Sequence, residues 1–165
     1  GIGEALATRA KAFGLRIVYH NRRNVDAAVE QRLDAQRVDF DELLATSDIV
    51  SLNCPYSEAT HHLVNAAALA AMKPTAFLVN TARGPIVDET ALVEALANSA
   101  IAGAALDVFE NEPIVHPGLL GLDNVVLVPH LGSATVETRT AMATTAASNV
   151  VEILAGRTPF NSVSG

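Results

Sequence analysis

Residues 76–83 of the chain read AFLVNTAR, an apolar run that ends in a polar turn and an arginine. A short apolar run bounded by turn residues is typical of a buried strand in a parallel sheet. Two later apolar runs lead in the same way to Glu112 and His130. The carboxyl ends of parallel strands lie along one edge of a sheet, where ligands bind. The pattern predicts a site at that edge for a small anion and a proton transfer, with Arg83, Glu112 and His130.

Segments of helical periodicity alternate with short apolar runs along the whole chain. Helices are predicted over 3–13, 25–33, 41–45, 65–72, 89–97 and from a cap at Ser133 to Leu154, and strands over 15–20, 37–39, 48–52, 75–80, 100–106 and 125–128. This alternation predicts an α/β fold with a doubly wound parallel sheet. Half of the residues are apolar but only 4% are aromatic, so the core is expected to consist of Ala, Val, Leu and Ile.

Composition and charge exclude several classes of partner. The formal net charge of −7 argues against nucleic acid, because phosphate binding requires clustered Lys and Arg. Cys54 is the one cysteine and cannot form an internal disulfide, which favours a reducing, cytoplasmic location. No apolar run approaches the roughly 20 residues needed to cross a bilayer, and no signal peptide is expected.

Three blocks of sequence carry a strong resemblance to one family. Residues 81–89 read TARGPIVDE, 104–113 read AALDVFENEP and 129–133 read PHLGS. In this order and spacing they resemble the D-2-hydroxyacid dehydrogenases, and the similarity covers essentially the whole chain. The resemblance implies a Rossmann-type sheet that lacks its first strand because the chain is a fragment. It also implies a partial dinucleotide-binding domain over 1–150 and a return segment toward an absent substrate domain over 151–165.

The resemblance assigns a catalytic role to three residues. Arg83 would clamp the substrate carboxylate, since its planar fork matches two carboxylate oxygens. His130 would be the general acid and base. Glu112, which precedes Pro113 as in the family motif, would favour the imidazolium and fix its tautomer. Glu110 is expected to be solvated instead.

The resemblance also implies cofactor contacts. Around the pyrophosphate these are Gly1, Ile2 and Gly3, where a glycine-rich turn opens a helix. Along the remaining cofactor they are Cys54, Pro55, Thr60, Thr81, Ala82, Arg83, Asp107, His130 and Gly132. G-x-G alone is a weak signal, and the strand that the dinucleotide fingerprint requires before it is missing here. The alternative to a cofactor contact for Asp107 is a structural role as a cap at the end of its strand.

The cofactor choice depends on Asn21-Arg22-Arg23, which follow the second family strand. An acidic residue there accepts a hydrogen bond from the NAD ribose, whereas arginines suit a 2′-phosphate. The pair therefore favours NADP, with NAD possible. The adjacent His61 and His62 should point apart and be solvated or act as caps. No carboxylate set completes a site around them, so no metal site is expected.

The sequence is interpreted as an oxidoreductase that transfers a hydride between NAD(P)H and a small 2-oxo or 2-hydroxy acid. Reduction of glyoxylate or hydroxypyruvate is favoured, and the full-length protein is expected to be a homodimer. The isolated fragment should be inactive. Two alternatives stay open: a cofactor-sensing, corepressor-like binding protein on the same fold, and a phosphite-oxidising relative.

Overall fold

Helices and parallel strands alternate over residues 1–162, which a computed structural model describes. The helices are α1 (Ile2–Ala12), α2 (Ala27–Leu33), α3 (Phe40–Thr46), α4 (Ala66–Ala71), α5 (Glu89–Ala97) and α6 (Val136–Leu154). The strands are β1 (Val18–Tyr19), β2 (Gln36–Arg37), β3 (Ile49–Leu52), β4 (Phe77–Asn80), β5 (Gly103–Leu106) and β6 (Val125–Leu127). The predicted α/β class with a parallel sheet is confirmed. The chain divides into two units, Gly1–Pro129 and a second that begins at His130.

Four strands of the first unit form one parallel sheet in the order β3-β4-β5-β6. Their register places Leu52, Asn80, Leu106 and Leu127 side by side in one row. All four strands therefore end at the same level, and the loops that follow them begin at one edge. Strands β1 and β2 form a separate two-stranded parallel sheet.

Alternate residues of the four-stranded sheet point into the core. Val50, Leu78 and Leu106 are buried and belong to a cluster that includes Leu69 of α4 and Leu92 of α5. Burying such a side chain contributes on the order of 1.5–3 kcal/mol, so this face contributes much of the stability of the unit. The predicted aliphatic core is confirmed, with Phe109 as its single buried aromatic residue among those described.

Several predicted element ends differ from the structure. The strand predicted over 15–20 is shorter in the structure, where Val18 and Tyr19 of β1 pair with β2. Gly14 ends α1 in the left-handed region, with φ of 81°, as predicted for a helix stop. The predicted cap at Ser133 is wrong. Thr135 caps α6 instead, and its hydroxyl accepts from the Thr138 amide at 3.2 Å.

The second unit consists mainly of α6, a 19-residue helix in which no residue is buried. The structure places the division between units at residues 129 and 130. The sequence predicted a dinucleotide-binding domain over 1–150 and a return segment over 151–165. That division refers to the domains of the family and stays a prediction. No helix among residues 1–162 has the length and apolarity to span a membrane.

One face of the four-stranded sheet is apolar and exposed: Ile49 is 52%, Phe77 49% and Val126 62% accessible. Strand β3 is also an edge strand. Because exposed apolar faces and strand edges promote association, the 165-residue chain alone should self-associate. The double substitution Phe77→Thr/Val126→Thr should reduce that association in size-exclusion chromatography, whereas Leu120→Thr, in an exposed loop, should not. A monomer that melts cooperatively would contradict this prediction.

Candidate active site

A buried asparagine shapes the turn that carries Arg83. Asn80 ends β4 and is 1% exposed. Its side-chain oxygen accepts from the Ala82 amide at 3.0 Å, and its Nδ2 donates to the Arg83 carbonyl at 3.0 Å. Both polar ends of the side chain are therefore used to fold residues 81–83 into one conformation. Sequence reasoning missed this role, although an asparagine at the end of an apolar run is a known turn signal.

Arg83 presents its guanidinium at the surface beyond this turn. The residue is exposed, and its Nη1 donates to the Ala82 carbonyl at 2.6 Å. A guanidinium carries five N–H donors in a planar fork, so the contact with Ala82 leaves donors that can reach an anion. Thr81 is exposed and Ala82 half-buried beside it.

The loop after β5 carries Glu112 and begins at a buried aspartate. The Asp107 amide donates to the Asn80 carbonyl at 2.9 Å, which continues the ladder between β4 and β5 past their ends. Two residues on, the Phe109 amide donates to Glu112 Oε1 at 3.0 Å. This bond closes the turn and turns the Glu112 carboxylate back toward its own loop. Glu112 is exposed.

Gly84 brings the Arg83 loop and the Glu112 loop into backbone contact. A Cβ atom at Gly84 would lie 1.9 Å from the Phe109 carbonyl carbon and oxygen and 2.4 Å from the Glu110 nitrogen. Only glycine permits this approach. The structure therefore brings two of the three predicted catalytic residues onto adjoining loops, as the strand ends predicted.

Glu110 and His62 are partly buried and paired with each other, so the prediction that each is simply solvated is wrong. His62 Nε2 lies 2.8 Å from Glu110 Oε1. The His61 and His62 rings are stacked with centroids 4.0 Å apart, so the prediction that they point apart is also wrong. The Glu110 amide donates to Glu89 Oε1 at 2.8 Å. Burial raises the pKa of Glu89. The prediction failed because these partners lie 21 and 48 residues from Glu110 and meet only in the fold.

The first helix begins beside the end of β3. A Cβ atom at Gly3 would lie 3.3 Å from Asn53 Cβ, so the start of α1 adjoins the loop that follows β3. Gly1 caps this 11-residue helix and Ile2 is its first residue. The amino end of a helix favours anions, so the predicted pyrophosphate position lies at the predicted edge of the sheet.

The loop after β3 carries three predicted cofactor contacts. Cys54 is half-buried against the core, and burial raises the pKa of its thiol, which suits packing better than nucleophilic chemistry. Pro55 is exposed. The Thr60 hydroxyl donates to the Pro55 carbonyl at 2.9 Å and accepts from the Ser57 amide at 2.8 Å, so Thr60 fixes the shape of this loop.

Asn21, Arg22 and Arg23 form an exposed loop after β1. The Asn21 carbonyl accepts from Arg37 Nη2 at 3.0 Å, which ties this loop to β2. Within residues 1–162, neither Arg22 nor Arg23 forms an ion pair with a carboxylate. Both cations are therefore accessible to a ligand.

His130 begins the second unit, three residues after β6 ends. The Val128 amide donates to the Leu106 carbonyl at 3.0 Å, which carries the chain along the same edge to Pro129. His130 is exposed and has a left-handed backbone, with φ of 54°. Such a conformation in a non-glycine residue is often associated with function. Its meeting with Arg83 and Glu112, and the cofactor contacts of His130 and Gly132, stay predictions.

These features define a Rossmann-like parallel α/β domain, and comparisons with known proteins specify the family. Residues 1–132 match the model of the D-isomer specific 2-hydroxyacid dehydrogenase, NAD binding domain. The chain belongs to this family, as its sequence motifs predicted.

Similar proteins include reductases of small 2-oxo acids. A glyoxylate reductase of Thermococcus litoralis is 48% identical over 98% of this chain and 49% of its own length. A glyoxylate/hydroxypyruvate reductase B of Erwinia tasmaniensis is 49% identical over 98% of this chain and 51% of its own length. The solved NADPH-dependent glyoxylate/hydroxypyruvate reductase of Sinorhizobium meliloti has a TM-score of 0.87 at 38% identity, covering 99% of this chain and 50% of that one. The chain thus spans about half the length of these relatives.

Gly84→Ala should destabilise the protein, because the new methyl group would overlap the Phe109–Glu110 peptide. The expected loss is about 1–3 kcal/mol of unfolding free energy, as is typical of overpacking. Gly121→Ala is the matched control, since a Cβ atom there meets no atom within 4 Å. Urea unfolding of the full-length variants measures both. Equal stability of the two variants would show that the loops are not in contact at Gly84.

Proposed function

We propose that the full-length protein reduces a small 2-oxo acid with NAD(P)H, with glyoxylate or hydroxypyruvate as the favoured substrates. The observation that carries this proposal is the contact at Gly84, which holds a cation loop against a carboxylate loop at the carboxyl edge of a dehydrogenase-family sheet. The names of the similar proteins support the substrate class. The nicotinamide, when bound, supplies a hydride to C2 of the substrate.

The residues of the chain divide the remaining tasks. Arg83 binds the substrate carboxylate through two parallel hydrogen bonds and so orients the carbonyl. His130 donates a proton to the carbonyl oxygen as C2 accepts the hydride, which yields the 2-hydroxy acid. Glu112 stabilises the imidazolium and fixes its orientation. The reverse reaction returns the proton to His130.

The cofactor is proposed to lie along the edge from α1 to β5. The start of α1, at Gly1, Ile2 and Gly3, receives the pyrophosphate. Residues Cys54, Pro55, Thr60, Thr81, Ala82, Asp107 and Gly132 line the remaining length. Arg22 and Arg23 bind a 2′-phosphate, so NADPH is preferred. The NADPH dependence printed for the Sinorhizobium meliloti relative is consistent with this preference.

The assembly follows the family resemblance, and the location follows from the single cysteine, Cys54. We infer that the full-length protein pairs through its cofactor domains as a homodimer in the cytoplasm. Neither nucleic acid nor membrane is a proposed partner.

Arg83→Gln and His130→Gln should each lower kcat/KM for glyoxylate in the full-length protein. The expected loss is on the order of 10²–10⁴-fold for the acid–base residue, with a comparable loss when the carboxylate clamp is removed. Arg16→Gln, an exposed arginine before β1, is the control and should leave the rate unchanged. Assays with glyoxylate, hydroxypyruvate and pyruvate also define the substrate. Tight cofactor binding without turnover of any of them would reject the enzyme and favour a cofactor-sensing protein.

Arg22→Gln/Arg23→Gln should weaken NADPH binding while leaving NADH binding unchanged. A lost hydrogen bond to a charged group costs about 1.5–3 kcal/mol, which corresponds to a change of roughly ten- to 100-fold. Fluorescence titration of the full-length protein with each cofactor measures the effect, again with Arg16→Gln as the control. If the unmodified protein binds NADH more tightly than NADPH, the role given to Arg22 and Arg23 is wrong.

A further inference from the structure

We propose that Glu110 is a positioning residue that acts through Glu112, with His62 and Glu89 as its anchors. This inference rests on the proposed function and deepens it. It assigns a role in the acid–base step to a carboxylate that neither the substrate nor the cofactor is proposed to contact.

Three hydrogen bonds from distant segments hold Glu110. Its Oε1 lies 2.8 Å from His62 Nε2, and its Oε2 accepts from the Glu89 amide at 3.3 Å. Its own amide donates to Glu89 Oε1 at 2.8 Å. Glu89 and Glu110 therefore each donate a backbone N–H to the carboxylate of the other. These two hydrogen bonds connect the loop after β5 to the first turn of α5. Of the three bonds, one holds the Glu110 backbone amide, and the other two hold its carboxylate.

The anchors are themselves fixed. Glu89 is 3% exposed at the start of α5, where its amide belongs to the first turn of the helix. The His62 amide donates to the Pro85 carbonyl at 2.9 Å, within the segment that follows Arg83. His62 Nδ1 also lies 3.9 Å from Asp88 Oδ2, so each ring nitrogen faces a carboxylate. The network thus joins the Arg83 segment to the Glu112 loop a second time, beside the contact at Gly84.

The position of Glu112 depends on the peptide that this network fixes. Glu112 follows Glu110 by two residues, and its Oε1 accepts from the Phe109 amide, on the other side of Glu110. Gly84 packs against the Phe109–Glu110 peptide from one side, and the bonds to His62 and Glu89 hold Glu110. Loss of the Glu110 carboxylate would let this turn relax and move the Glu112 carboxylate away from its productive position. Small displacements of this kind cost large factors in rate.

The test uses the full-length protein with NADPH and glyoxylate. The variants are Glu110→Gln, Glu110→Ala, Glu112→Gln and the double variant Glu110→Gln/Glu112→Gln, with Glu94→Gln on the exposed face of α5 as the control. Glutamine keeps the shape of Glu110 but supplies one acceptor oxygen instead of two. The measurements are kcat, both KM values, the pH profile of kcat and the melting temperature.

Glu110→Gln should lower kcat by roughly tenfold, less than the loss expected when the acid–base residue itself is removed, and leave the KM for NADPH unchanged. The pH profile of kcat should move in the same direction as in Glu112→Gln, because Glu110 is proposed to act through Glu112. The double variant should be no slower than Glu112→Gln alone. Glu94→Gln should match the unmodified protein.

Independent effects of Glu110→Gln and Glu112→Gln would overturn the inference, and so would a lower melting temperature with an unchanged pH profile. A Glu110→Gln protein that does not fold would also overturn the inference, since the role of Glu110 would then be structural. If only Glu110→Ala fails to fold, the result for Glu110→Gln decides. An unmodified protein without turnover is a different result, because it rejects the proposed function and with it this role for Glu110.

Discussion

The parallel register of β3, β4, β5 and β6 is the constraint on which the rest of the first unit depends. It places the last residues of the four strands in one row, so the loops that follow begin at the same height. A shift of one residue in β5 would reverse the faces of its side chains and move the Phe109–Glu110 peptide away from Gly84. The close backbone approach of the two loops is therefore a consequence of strand pairing. The space between them at Gly84 is too small for a methyl group.

Polar residues at this edge separate into two groups by burial. Asn80, Glu89 and Asp107 are buried. For Asn80 and Glu89 the side chains satisfy backbone groups of the loops, as buried polar groups must. Arg83 and Glu112 are exposed and lie on the loops shaped in this way. The buried groups thus fix the backbone of the loops on which the exposed groups are carried. This arrangement agrees with the general requirement that reactive side chains be held by a rigid supporting shell.

The sequence was sufficient for the features that depend on local pattern. Alternating periodicities predicted the α/β class, and apolar runs such as 76–79 located the strands whose ends carry Arg83 and Glu112. The anchors could not be predicted, because Glu110 meets His62 and Glu89 only after segments far apart in sequence have packed. The Ser133 cap failed for a smaller reason: two hydroxyl residues compete for the start of α6, and Thr135 is the one whose oxygen reaches the Thr138 amide.

The central claim is that Arg83, Glu112 and His130 act on one small anion beside the nicotinamide. The most direct test is a crystal structure of the full-length protein with NADPH and oxalate, a two-carbon anion that resembles glyoxylate. The account predicts that the Arg83 guanidinium binds one carboxylate of oxalate and His130 lies within about 3.2 Å of the other, with Glu112 at the far ring nitrogen. Oxalate bound elsewhere, or these three side chains on separate surfaces, would contradict it.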